Sequence, residues 1–297
     1  MSVYEHLEAL SVRTNALTRT YKARDATGNL VIVKEFFTSA FVDTGIDDLR
    51  SGVNALLPQL QSLREFPGGV GTAPWLDMED EGKVLRIVRP FYPMRLVDQF
   101  PPDPHNPPTV SLLQAFRSMA EGIDQLSQYF PDMSFFICPG DLLGDGVTAV
   151  VADYGLVNLF NAIEGAYIGP RLLGKDFFRW CNEAASCYPL GSPTALINQL
   201  PGNIKPVFAL ASLYFYLRTG HGPFMVGMPS TALEGTLRAF MPFWSANYRA
   251  EAYFRNGTLE LDGLELEAER RILAQALDVK SLVKSCSELI DELSTLG

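Results

Sequence analysis

Gly146-Val147-Thr148-Ala149-Val150-Val151-Ala152-Asp153-Tyr154-Gly155-Leu156 is the stretch on which the reading of this chain turns. Val147, Val150 and Val151 are β-branched and stand between Gly146 and Gly155, so the run predicts a short buried strand. An aspartate, an aromatic residue and a glycine follow at once. A carboxylate at a strand's end can face a cleft and hold a hard cation through oxygen. The glycine lets the backbone turn sharply. A strand ending in any polar turn looks the same, so the stretch takes its meaning from what flanks it.

Upstream, residues 1–40 read as β-hairpins. Leu30-Val31-Ile32-Val33-Lys34-Glu35-Phe36-Phe37 predicts a strand, and period-two alternation puts Lys34 on the face of Leu30 and Ile32. Such a lysine either snorkels from an edge or meets an anion. Residues 46–63 carry Leu49, Val53, Leu56, Leu57, Leu60 and Leu63 at helical spacing, with a break or kink expected at Pro58. Residues 84–88 predict another strand, and residues 100–108 a proline-rich connector.

From there the pattern turns helical. Residues 110–129 form an amphipathic helix, residues 131–145 a loop, and residues 204–219 a helix apolar nearly all round. Further helices are expected over 177–188, 233–244 and, as one or two pieces, 268–293. A β-rich part, 1–93, thus precedes a helical part, 94–297, in one α+β domain of two lobes.

The 297 residues are 47% hydrophobic and 20% charged, an ordinary globular balance. A net charge of −10 argues against nucleic acid as a partner, since phosphate binding needs a basic face. Cys138, Cys181, Cys187 and Cys286 lack metal-site spacing and predict reduced thiols in a cytoplasmic protein. The start of the chain shows no signal peptide, and no apolar run is long enough to span a bilayer.

The pieces in order resemble the protein kinase fold over almost the whole chain. Val31-Ile32-Val33-Lys34 resembles the strand whose lysine grips ATP phosphates, and Asp153-Tyr154-Gly155 resembles D-F-G. Ile137-Cys138-Pro139-Gly140-Asp141 is similar to the tail of the catalytic loop, and residues 213–224 to the end of the buried central helix. The resemblance implies Lys34, Pro90 and Tyr92 as nucleotide contacts, with Arg89 at the back of the cleft. It implies Asp141 and Asp153 as ligands of magnesium carried by ATP. Pro90, at the hinge, keeps its carbonyl but has no N–H, so one hinge contact is open to a base.

The departures bear on function. Arg13, Asn15 and Thr18 stand where the kinase pattern has the glycines that let backbone N–H groups lie on phosphates. Phe136 stands at the position of the catalytic base and cannot take a proton. The helix over 46–63 has no glutamate to pair with Lys34, only Asp47 and Asp48 at its start. Ile32 replaces the small residue that roofs the adenine, and Thr20 takes the other roof position. About fifty residues separate Asp153 from Pro206, which implies an insertion after Tyr154.

Lys34, Asp141 and Asp153 support two readings. They hold a magnesium nucleotide, or Lys34 pairs with Asp153 and closes an empty cleft. The function expected is that of a catalytically inactive pseudokinase that works as a binding, scaffold or allosteric protein with a protein partner. The insertion and residues 245–266 are its candidate partner surfaces. The rival is an atypical ATP-dependent phosphoryl- or nucleotidyltransferase using Asp141 and Asp153. A small-molecule kinase is weaker, since it too needs a base where Phe136 stands. The oligomeric state is open.

Overall fold

A computed structural model of the chain describes residues 4–11, 18–37, 48–133, 135, 137–156, 205–223, 259–278 and 285–296. Arg13, Asn15, Asp47 and Phe136 lie outside the described residues, as do the helices expected over 177–188 and 233–244, the insertion after Leu156, and 245–258. The chain divides into two units. One holds residues 1–68, 73–92 and 155–177; the other holds 69–72, 93–154 and 178–297.

Among its described residues the first unit is an antiparallel sheet of five strands with one helix. The strands are β1 (Glu5–Ser11), β2 (Thr18–Arg24), β3 (Leu30–Phe37), β4 (Asp77–Asp80) and β5 (Val84–Pro90), in the order β1-β2-β3-β5-β4. The hairpin between β2 and β3 closes on Asp25, whose carboxylate accepts from the Thr27 and Asn29 N–H groups, while Gly28 takes φ 88°. Sequence reading missed β4, because Asp-Met-Glu-Asp has poor strand propensity. Pairing with β5 makes it a strand, and Met78 turns inward.

The helix α1 (Asp48–Glu65) runs through Pro58 without the expected break. Pro58 and Asn54, whose carbonyl loses its donor, are both exposed, so the bond that the proline removes lies on the solvent side. Val53, Leu60 and Leu63 are fully buried. Burying each such side chain contributes about 1.5–3 kcal/mol. The helix also ends two residues later than the periodicity implied, so its last residue is a glutamate, Glu65, which is exposed.

In the second unit, α3 (Val110–Tyr129) follows a short helix α2 (Leu96–Gln99) and the proline-rich connector. Thr109 caps α3, accepting from Leu112 N–H at 3.2 Å. The helix α4 (Pro206–Thr219) has Leu210, Leu213, Tyr214 and Phe215 fully buried, and Gly220 ends it at φ 81°. Two more helices, α5 (Glu267–Ala276) and α6 (Cys286–Ser294), pack on α4 and α3. The Asp124 carboxylate of α3 caps α6, accepting from the N–H groups of Cys286 and Ser287 at 2.9 and 3.0 Å. Cys138 and Cys286 are buried free thiols, and burial beside Asp124 pushes the Cys286 thiol pKa up.

A small antiparallel sheet, β6 (Met94–Arg95), β7 (Leu142–Gly144) and β8 (Ala149–Val151), completes the unit. Two expectations change here. The loop over 131–145 contains a 3-10 turn, Pro139–Asp141, and all of β7. Val147 is not in the buried strand but 94% exposed at a hairpin tip. The Asp145 carboxylate accepts from the N–H groups of Val147 and Thr148, and Gly146 sits at φ 92°, so the turn consumes the residues before Ala149. No helix among the described residues is long and apolar enough to cross a membrane.

Candidate functional site

Lys34, Pro90 and Tyr92 lie in the first unit, Asp141 and Asp153 in the second. In the first, the register of β2, β3 and β5 sets which side chains share a face. Thr20, Lys34 and Ile87 form one rung across the sheet, and Lys22, Ile32 and Arg89 the next. These six project to one side by strand alternation. Lys34 is half-buried there, while Ile32 and Arg89 are 2% and 8% exposed.

The opposite face takes Glu35. Ala23, Val31, Val33 and Val88 form its apolar patch, with Tyr4 and Tyr21 packed on it. Tyr21 donates to Glu35 at 3.1 Å, and the Arg86 guanidinium pairs with Glu35, Glu79 and Glu81. Burial, then Asp77 for Tyr4 and Glu35 for Tyr21, pushes both phenols up to about 12. The carboxylate next to Lys34 in sequence is therefore engaged on the other side of the sheet. Within α1 the acidic residues are Asp48 at the first position and Glu65 at the last.

Beyond β5 the backbone is already bonded within its own unit. Arg89 Nη1 donates to the Pro90 carbonyl at 3.1 Å. Phe91 N–H donates to Leu30 O at 3.2 Å. The Lys22 ammonium lies 4.1 Å from the Phe91 ring centroid, a cation–π contact. Sequence reading placed Arg89 at this spot but gave no sign that its guanidinium turns onto the next carbonyl.

In the second unit, Asp141 stands directly before β7 and Asp153 two residues after β8. Leu142 pairs with Val151, so the hairpin brings both carboxylates to one end. Ala152 N–H donates to Asp141 O at 2.8 Å and ties the two segments. Asp141 Oδ2 accepts from Cys138 N–H at 3.1 Å, which makes the side chain the cap of its own 3-10 turn. Asp153 takes φ 56°, alone in the left-handed region among described residues other than glycine. Aspartate tolerates that region better than most residues, yet such a conformation is held only where the surroundings enforce it.

The surroundings are visible. Val151 N–H donates to Gly71 O at 2.8 Å, and Thr72 bridges Val151. Gly71 in turn lies so close to α3 that a Cβ would fall 1.7 Å from Ser118 O. The segment at Gly71 thus holds β8, two residues before Asp153.

Among the described residues no three of His, Cys, Asp and Glu gather as a metal-binding group. Two carboxylates at one hairpin end fit a magnesium ion that brings phosphate oxygens and water with it, and do not fit an all-protein cage.

No protein-family model matches the sequence, and no curated protein matches it. Solved structures do resemble its fold. The kinase domain of PknI from Mycobacterium tuberculosis, in a cysteine-to-alanine mutant form, aligns with a TM-score of 0.58 and 14% identity over 99% of this chain and 96% of that one. The PknI kinase domain in a second structure gives 0.56 and 13% over 99% and 96%. Rad53 1-466, in complex with AMP-PNP, gives 0.53 and 14% over 98% of this chain and 64% of that one. At such identities the likeness carries the fold and nothing more.

Proposed function

The chain has a protein kinase-like fold, and on that premise we propose that it is a pseudokinase, which binds or regulates a protein partner and does not transfer phosphate. The observation that best supports this is the rung Lys22–Ile32–Arg89. A bulky apolar residue and a buried guanidinium stand on the face of the sheet that, in a kinase, receives the nucleotide beside Lys34. The substitution of Phe136 at the base position supports it as well. Losing a general base costs ~10²–10⁴-fold in rate.

Nucleotide binding short of transfer fits the same residues. Rad53 was solved with AMP-PNP. In this chain Lys34 is the proposed phosphate contact, Asp141 and Asp153 the proposed magnesium ligands, and Pro90 and Tyr92 the positions beside the base. The left-handed backbone at Asp153, with Asp141 at the same hairpin end, favours a second reading as an atypical phosphoryl- or nucleotidyltransferase. Such chemistry rests on positioning and metal charge more than on a base.

Purified protein incubated with ATP and magnesium or manganese separates the two. The expected result is no label on itself or on a generic protein substrate above background. Transfer of phosphate or AMP by the natural chain, abolished in Asp141→Ala/Asp153→Ala, would overturn the pseudokinase reading and install the transferase.

A further inference from the structure

We infer that Arg89 is a specificity-determining residue that takes the place of a purine, so that the Lys34 face accepts a phosphate chain and does not read a base. This deepens the reading above and rests on its assignment of Pro90 to the base side. The sequence left one acceptor there, the Pro90 carbonyl, because proline has no N–H to offer. In the structure that carbonyl accepts from Arg89 Nη1 at 3.1 Å. A purine's amine and a guanidinium both present N–H donors, and the carbonyl that already holds the guanidinium offers an incoming amine only its second lone pair, with a positive charge beside it. The guanidinium is permanently charged, tethered beside that acceptor and 8% exposed. It bonds there without losing the translational freedom a ligand must give up.

The neighbours point the same way. Ile32, cross-strand from Arg89 and 2% exposed, lies on the same side of the sheet. Phe91 N–H is bonded to Leu30 O. Lys22 and Arg89 flank Ile32 on its two sides, and Lys34 follows two residues along β3. A chain of phosphates gains charge-assisted bonds from cations on this face, which a neutral base does not.

The test uses the full chain, with thermal shift and competition against magnesium complexes of ATP, GTP and inorganic triphosphate. The natural protein should respond to the three alike. Arg89→Met keeps an unbranched side chain and frees the carbonyl. It should bind ATP about tenfold or more tightly than triphosphate, the scale of one regained hydrogen bond with ring contact. Arg89→Leu, which likewise carries no donor, gives a second reading if the methionine variant fails to fold. A natural protein that already prefers ATP over triphosphate by tenfold overturns the inference. So do folded variants at Arg89 that gain no base preference, whether or not they bind the phosphate chain. ATP turnover indifferent to the base would sink the pseudokinase reading and leave Arg89's role standing. Base preference without turnover would do the reverse.

Discussion

Replacing Arg218 with methionine should unfold this protein more readily than any surface change. Arg218 and Glu269 join α4 to α5 with 2% and 0% exposure. Arg218 Nε donates to Glu269 Oε1 at 2.8 Å and Nη2 donates to Oε2 at 3.2 Å. The same guanidinium donates to the carbonyls of Asp103 and Asn106, which pins the proline-rich connector. The Tyr214 hydroxyl donates to Glu269 at 2.7 Å, and burial with that carboxylate pushes its pKa far above the usual phenol range. Arg218→Met leaves Glu269 with the Tyr214 hydroxyl and no counter-charge in a dry site. Breaking one side of a buried pair costs about 3–5 kcal/mol. At roughly 2–4 °C per kcal/mol for a chain approaching this size, the melting midpoint should fall by about 6–20 °C. The double variant Arg218→Met/Glu269→Leu removes both charges and should recover most of the loss, because apolar packing often replaces a buried pair without penalty. Urea unfolding of the natural chain, both single variants and the double gives the cycle. A loss below about 1 kcal/mol for Arg218→Met, or a double variant no better than the worse single, would refute the argument.

Three further outcomes follow from the same kind of accounting. Gly71→Ala puts a Cβ 1.7 Å from Ser118 O at φ 82°, so α3 and the clamp on β8 must separate; the unfolding free energy from urea titration should drop by roughly 2 kcal/mol or more, and a tolerated alanine would refute the clamp. Asp153→Ala keeps a Cβ at φ 56° without aspartate's local polar contacts, so it should be less stable than Asp153→Gly by about 1 kcal/mol in thermal melts. Tyr4 and Tyr21 have folded pKa values pushed up to about 12, above the unfolded value near 10. Their contribution is whole below pH 10 and is lost as pH rises from there to about 12. Tyr21→Phe should flatten that alkaline loss in unfolding measured across the window, and an unchanged slope would show that Tyr21 does not carry it.

What sequence reading made legible were the elements whose residues face one kind of surroundings along their whole length. Leu30–Phe37 opens on a run of apolar residues, of which the β-branched Val31, Ile32 and Val33 are all buried. Pro206–Thr219 is apolar nearly all round and mostly buried. Val110–Tyr129 carries one apolar stripe and a cap. In these the local pattern and the tertiary contacts demand the same thing. Where they differ, sequence misled. Val147 is β-branched, but the Asp145 turn claims it. Asp77–Asp80 is acidic, but β5 offers it a ladder. Pro58 should interrupt a helix, but the lost bond falls on the wet side.

At the candidate site the division is the same. Sequence alone supplied the identities: Lys34 on a strand, Asp153 at a strand's end, Asp141 upstream of it, phenylalanine at the position the kinase resemblance gives to the base, and arginine before Pro90. Residue type and spacing suffice for that, because chemistry is local to a side chain. Only tertiary structure decided how those groups are spent. It turned the Arg89 guanidinium onto Pro90, sent Glu35 to the face away from Lys34, bent Asp141 back onto its own turn and left Asp153 in a left-handed conformation just past the strand that Gly71 holds. A hydrogen bond is made by whichever donor the packed backbone delivers to an acceptor at about 3 Å, and that distance is fixed by register and packing between segments far apart in sequence.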